Sequence, residues 1–220
     1  LARPVPQPPS WAATIGTAVH ALIEEHFGLA SSADPLDAPE AEDTLGVPLP
    51  GVSSDPGHSE AAAREEFTFE EVEETESRLD TSVRSLWDRF AASEWGSSKW
   101  RERIWAVEYP VETHVEGVSL RGRIDAVFRY EDAGGERWVL VDWKSGRRPK
   151  ASEMQSRRYQ LGLYRIAFSR IMGVDPERIS TVFVYLGGRS VQQVWDRDIR
   201  GGLPSEAQLA AVIRRARRMD

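Results

Sequence analysis

Two apolar runs joined by a turn signal constrain this chain more than any other feature. GRIDAVFRY (122–130) and RWVLVDW (137–143) are rich in β-branched and aromatic residues, and EDAGGE between them is a turn signal. A hairpin folded symmetrically about Ala133–Gly134 places Asp125 directly opposite Asp142, with Cβ atoms roughly 5 Å apart. Two like charges so placed are destabilising unless a cation lies between them. Strand side chains alternate, so Asp142 and Lys144 share one face while Val141 and Trp143 take the other. Two carboxylates and an ammonium on one side of a buried strand pair suit Mg²⁺, which takes oxygen ligands, with lysine as a point charge towards phosphate.

The rest of the chain supplies a mixed α/β frame. Ser10 caps a helix through WAATIGTAVHALIEEHFG that stops at Gly28, with Ile15, Val19, Leu22, Ile23 and Phe27 at helical spacing. Residues 30–60 are rich in Pro, Gly, Ser and acids and read as a flexible insertion. A second helix covers about 60–93, with an apolar stripe of Leu79, Val83, Leu86, Trp87 and Phe90. IWAVEYPVETHV, VSLRGRIDAVFRY and RWVLVDW then read as three strands. A helix ending at Gly173, the strands ISTVFVYL and SVQQVWD, and a last helix opening at Pro204 complete the chain. The whole is one domain, with an N-terminal helix (1–29), an insertion (30–60), a helical stretch (61–95), an α/β core (100–200) and a basic C-terminal helix (203–220).

Composition excludes some chemistry and redirects the charge argument. The chain has no cysteine, so thiolate-held zinc, iron–sulfur clusters and disulfides are excluded. No apolar run spans a membrane and no signal peptide is visible, which leads to the expectation of a cytoplasmic protein. The start at Leu1, in a Pro-rich run, leads to the expectation of a domain cut from a longer chain. The net charge of −7 argues against nucleic acid until it is mapped. Residues 31–80 hold fifteen acidic residues and two basic ones (Arg64, Arg78). The remainder therefore carries 26 basic against 20 acidic residues, a surplus of six.

The spacing Asp–X(n)–Asp–X–Lys, with GRID before it and QLGLY after it, resembles the PD-(D/E)XK nuclease superfamily. More narrowly, it resembles the C-terminal nuclease domain of RecB-, AddA- and AdnAB-type helicase–nucleases, leaning to the AdnB-like subunit. The four pieces are GTAVHALIEEH, GRIDAVF, VLVDWKSG and YQLGLY, in family order over about 145 residues. The resemblance implies a restriction-endonuclease-like mixed sheet flanked by helices. It implies a metal held by His20, Asp125, Asp142 and the Trp143 carbonyl, and catalysis by Asp125, Asp142, Lys144, Gln160 and Tyr164. The cofactor would be Mg²⁺ or Mn²⁺, the histidine suiting Mn²⁺, with no iron–sulfur cluster. Implied partners are single-stranded or duplex-end DNA, a helicase motor in the same full-length chain and a second helicase–nuclease subunit. No phosphate-loop motif occurs here, so any motor lies outside these residues.

Other residues carry weaker readings. Arg147, Arg148, Lys150, Arg157 and Arg158 crowd the segment after Lys144 and suit a nucleic-acid backbone. Gln160 and Tyr164 share a helix face with Ala167, Phe168 and Ile171; a buried amide there needs partners. Glu24, one turn after His20, could reach the same site or pair with a base. Glu108 in AVEYP loosely resembles an acidic residue often found on the strand before GRID. His26 and His114 read as surface residues, and Trp87, Trp95, Trp100, Trp105 and Trp138 as core or interface. Arg214, Arg215, Arg217 and Arg218 complement a helix C-terminus or meet DNA or a partner. Two alternatives stand beside this: a nuclease-fold module that binds DNA or a partner without cutting, and a site-specific endonuclease.

Overall fold

The computed structural model describes residues 10–28 and 69–216; the acidic segment 30–60, Arg217 and Arg218 lie outside them. Helix α1 (Trp11–Phe27) opens where the Ser10 side chain accepts from Ala13 N–H, and closes at Gly28 with φ 68°. Helix α2 (Phe69–Ala91) and the single turn α3 (Ser98–Arg101) precede three strands, β1 (Ile104–Val115), β2 (Val118–Asp132) and β3 (Gly135–Lys144). Helix α4 (Ala151–Met172) crosses to β4 (Ile179–Tyr185), which pairs with β5 (Gln192–Trp195), and α5 (Glu206–Ala216) ends the described chain. The sheet runs β1-β2-β3-β4-β5, antiparallel except where β3 and β4 pair in parallel across the α4 crossover. This is the mixed α/β architecture expected, one sheet between helices.

The sheet is covered on both faces, which explains the near-continuous apolar run of β3. Val139, Val141 and Trp143 pack with Val19, Ile23 and Phe27 of α1 and Leu86 and Phe90 of α2. Leu140 and Trp138 pack with Leu161, Tyr164, Ala167 and Phe168 of α4. Val19, Ile23 and Phe27 are at most 4% exposed, and burial of such side chains is worth about 1.5–3 kcal/mol each. Alternation along β3 thus separates Trp143 from Asp142 and Lys144, as the strand period requires.

The hairpin register is the symmetric one: Asp132 pairs Gly135, and the ladder continues to Ala126 opposite Val141. One further step brings Asp125 opposite Asp142. The β1–β2 ribbon is less regular. Val107 packs on the α1–α2 side, whereas Tyr109 and Val111 pack on the α4 side. Residues two apart in a regular strand share a face, so the strand rolls over between them. The roll falls on Glu108, which has φ 50° inside a strand. Across the ladder, Ala126 and Ile124 also face opposite sides, and Asp125 lies between them. Glu108 and Asp125 face each other across this break.

Several expectations are corrected. His26 is not a surface residue: its ring is wedged edge-on against Phe27, Trp87 and Phe90 where α1 meets α2, and burial lowers its pKa. The apolar stripe of α4 stops at Phe168; Ile171 is 46% exposed, and Met172 packs against the core instead. His114 is exposed, and Trp95, Trp100 and Trp138 are buried, as read from sequence.

Candidate active site

Trp143 is the hub of the site because three forces fix it. Its indole is 2% exposed and meets Phe90 and Trp95 edge-on at 5.5 and 5.6 Å. Its backbone N–H donates to Asp125 Oδ2 at 2.6 Å, and its backbone carbonyl oxygen lies 3.2 Å from His20 Nε2. Burial of the indole therefore fixes the Trp143 backbone, whose carbonyl is met by His20 of α1, the helix that also packs on the indole side. His20 projects from the middle of α1, and its Nδ1 lies 3.8 Å from Asp125 Oδ2.

Three ligand-type atoms converge here. His20, Glu108 and Asp125 each offer one within 4.8 Å of the others. The donor set, an imidazole nitrogen and two carboxylates beside a fixed carbonyl, fits a divalent cation of the Mg²⁺ or Mn²⁺ kind. The electrostatics agree. Asp125 is pushed up to about 8, chiefly by burial and then by the charge of Asp142. A buried carboxylate that resists ionising for want of positive charge is one a cation stabilises. Burial lowers the pKa of His20, against the opposing pull of Asp142 and Glu108, and so favours the neutral, ligating imidazole.

Asp142 has different surroundings. It is 2% exposed; Lys144 Nζ stands 2.6 Å from Oδ2, and the Gln160 amide donates to Oδ1 at 2.6 Å. The same amide nitrogen lies 2.9 Å from Tyr164 Oη, so α4 delivers a buried relay onto the carboxylate. Burial still raises Asp142, with Lys144 pulling the other way. Tyr164 is 6% exposed and its hydroxyl is raised well above the usual range by burial. Gly122 of GRID makes room for it: a Cβ there would lie 3.0 Å from Tyr164 Cε1. Gly162 of QLGLY likewise lies where a Cβ would meet the Pro204 ring at 2.6 Å, so α4 can seat against that segment.

A cleft of about 550 Å³ opens over these residues, lined by α1 from Ala12 to Glu24, by Glu108 and Arg123, and by Lys144, Arg147, Arg157 and Tyr185. Among the five basic residues expected to meet a nucleic-acid backbone, Arg147 and Arg157 line it, and Arg148 and Lys150 are exposed nearby in sequence. Arg158 is placed differently: its Nη1 donates to the Gly201 and Gly202 carbonyls at 3.3 and 3.0 Å, pinning a surface turn to α4. Glu24 lines the cleft but stands outside the three-residue group. Glu108 is inside that group, with Arg123 Nε 2.5 Å from its carboxylate. Its alignment with Asp125 across β1 and β2 was the signal in the sequence, masked by the broken alternation.

No helix among the described residues is long and apolar enough to cross a membrane. No curated protein matches the chain. The crystal structure of SSO0001 is similar at 16% identity and a TM-score of 0.39, the match covering 68% of this chain and 64% of that one. This chain thus spans under two thirds of that structure's length. The pattern for the PD-(D/E)XK nuclease superfamily runs along residues 2–219, nearly the whole sequence, and the chain belongs to that superfamily.

Proposed function

We propose that this chain is a nuclease domain that hydrolyses single-stranded DNA and serves a helicase–nuclease in double-strand-break end resection. Membership of the superfamily indicates a metal-dependent nuclease, and the convergence of His20, Glu108 and Asp125 beside the Trp143 carbonyl is the observation that carries the reading. When bound, Mg²⁺ or Mn²⁺ supplies an activated water and stabilises charge growing on phosphorus. His20, Glu108, Asp125 and the Trp143 carbonyl would hold it. Asp142, expected as a ligand, stands outside that three-residue group, engaged by Lys144 and Gln160, and its charge acts on both His20 and Asp125.

Lys144 is anchored by Asp142 and lines the cleft, where its ammonium meets a phosphate oxygen and helps position the attacking water. Gln160 orients Asp142 through a direct hydrogen bond, and Tyr164 sets the amide of Gln160. Arg147, Arg148, Lys150 and Arg157 follow the backbone by charge, which makes cutting independent of sequence. Arg158 holds the turn beneath them. Resemblance to RecB-, AddA- and AdnAB-type domains supports the helicase partnership, a second subunit, a cytoplasmic location and 5′-phosphate, 3′-hydroxyl products. The test is cleavage of end-labelled single-stranded DNA with Mg²⁺ or Mn²⁺, comparing the protein with Asp142→Ala. Metal-dependent cutting lost in the variant is expected. DNA binding without cutting by the full helicase–nuclease would return the chain to a silent binding module.

A further inference from the structure

We propose that Tyr185 and Arg157 form a seat for a backbone phosphate on the Lys144 side of the cleft, Tyr185 donating its hydroxyl proton to a phosphate oxygen. The inference rests on the nuclease reading above and deepens it by naming where the strand is gripped.

Tyr185 is the last residue of β4, paired with Lys144 on one side and Gln192 on the other, and is 1% exposed. Its ring packs into the α4-side core, 6.1 Å from the ring of Phe183. Lys144 Nζ lies over that Phe183 ring at 5.6 Å, so the ammonium and the tyrosine share one wall. A residue so enclosed would serve packing equally well as phenylalanine. It is nevertheless one of the residues that line the cleft, with Lys144, Arg147 and Arg157.

Its hydroxyl is an anomaly. The oxygen is buried and makes no well-aligned hydrogen bond. The Arg157 guanidinium bears on it, but a guanidinium only donates, so the hydroxyl proton has no acceptor. A buried donor left unspent costs free energy, and most such groups in proteins are partnered. What is missing is an acceptor, and its surroundings define its charge. Arg157 and Arg147 line the same cleft with Lys144, and the charges of Arg157 and Arg148 both act on Tyr185. An acceptor set among a hydroxyl, guanidinium groups and an ammonium is an oxyanion. In a cleft one residue pair from the Asp142–Lys144 couple, that oxyanion is a phosphate of the bound strand.

Tyr185→Phe removes only the oxygen. Binding of a fluorescein-labelled single-stranded oligonucleotide, followed by anisotropy in Ca²⁺, should weaken about tenfold. Thermal stability should stay level or rise, because the variant removes an unpartnered buried hydroxyl. The slope of affinity against salt should be unchanged, since tyrosine is neutral, whereas Arg157→Ala should reduce it by about one. Unchanged affinity in Tyr185→Phe, or affinity and melting temperature falling together, would overturn the seat. Cutting by the unaltered protein is read in parallel: if it cuts while Tyr185→Phe binds normally, the nuclease reading stands and the seat alone fails.

Discussion

The two halves of the site are built in opposite ways. On β3 and β4 the sheet is regular, the ladder runs unbroken from Trp138–Ile179 to Lys144–Tyr185, and Asp142 is surrounded by Lys144 and Gln160. On β1 and β2 the ribbon rolls over at Glu108 and Asp125, and the two carboxylates there converge on the imidazole of His20, which also meets the Trp143 carbonyl. Regular strand thus carries the carboxylate that has an ammonium partner, Asp142 with Lys144. The break carries Asp125, which no lysine or arginine meets among the described residues, beside Glu108, which Arg123 does. Backbone irregularity here re-aims two opposed carboxylates towards one point, which an alternating strand pair does less readily.

The largest effects should separate the halves by what they destroy. Asp125→Ala should abolish cutting and also remove the rise in melting temperature given by Mn²⁺. Gln160→Ala should leave that rise largely intact while slowing cutting by about 10- to 100-fold, the usual range for removing a partner that orients a site. Without the amide donor the Asp142 carboxylate loses a bond that favours its charged form, so the acid limb of the rate profile should move to higher pH. A rate profile in Gln160→Ala that keeps its shape would count against the relay.

The unmet charge at the break also makes a statement about stability. Asp125 titrates near 8 when folded, far above an unfolded aspartate. Between the two values the native state holds the extra proton, so without metal this residue contributes stability that falls as pH rises from about 4 to about 8. A divalent cation should reverse the trend by displacing that proton, and the thermal shift from Mn²⁺ should be larger at pH 8 than at pH 6. An equal shift at both pH values would mean the cation binds elsewhere.

Smaller still is the strain itself. A non-glycine residue at φ 50° costs on the order of 1 kcal/mol, so Glu108→Gly should be more stable than Glu108→Ala by about that much. In an ordinary strand the order is the reverse. Chemical denaturation of the two variants decides it. Finally, Arg158→Ala should change oligonucleotide affinity less than Arg157→Ala, because the first guanidinium is spent on Gly201 and Gly202. Each change is a matter of a few-fold, read by anisotropy.

What could be read from sequence follows the same division. The β2–β3 register, the shared face of Asp142 and Lys144, and the caps at Ser10 and Gly28 all obey local periods and were legible. Gln160 and Tyr164 were legible as an i, i+4 pair, and the structure adds that the amide reaches Asp142. Glu108 was only loosely legible, because its meaning depends on a strand departing from its period. Tyr185 was missed: in VFVYL it reads as core, and only the tertiary cleft shows an unspent hydroxyl. His26 was misread because nothing in α1 alone says that α2 will cover it.

The central claim is that the break holds the metal, and Mn²⁺ titration followed by electron paramagnetic resonance tests it most directly. At pH 8 the unaltered protein should bind one Mn²⁺, and Glu108→Gln should bind it at least about 100-fold more weakly. Equal affinity in the two proteins would contradict the account, placing any metal away from the face that Glu108 and Asp125 share.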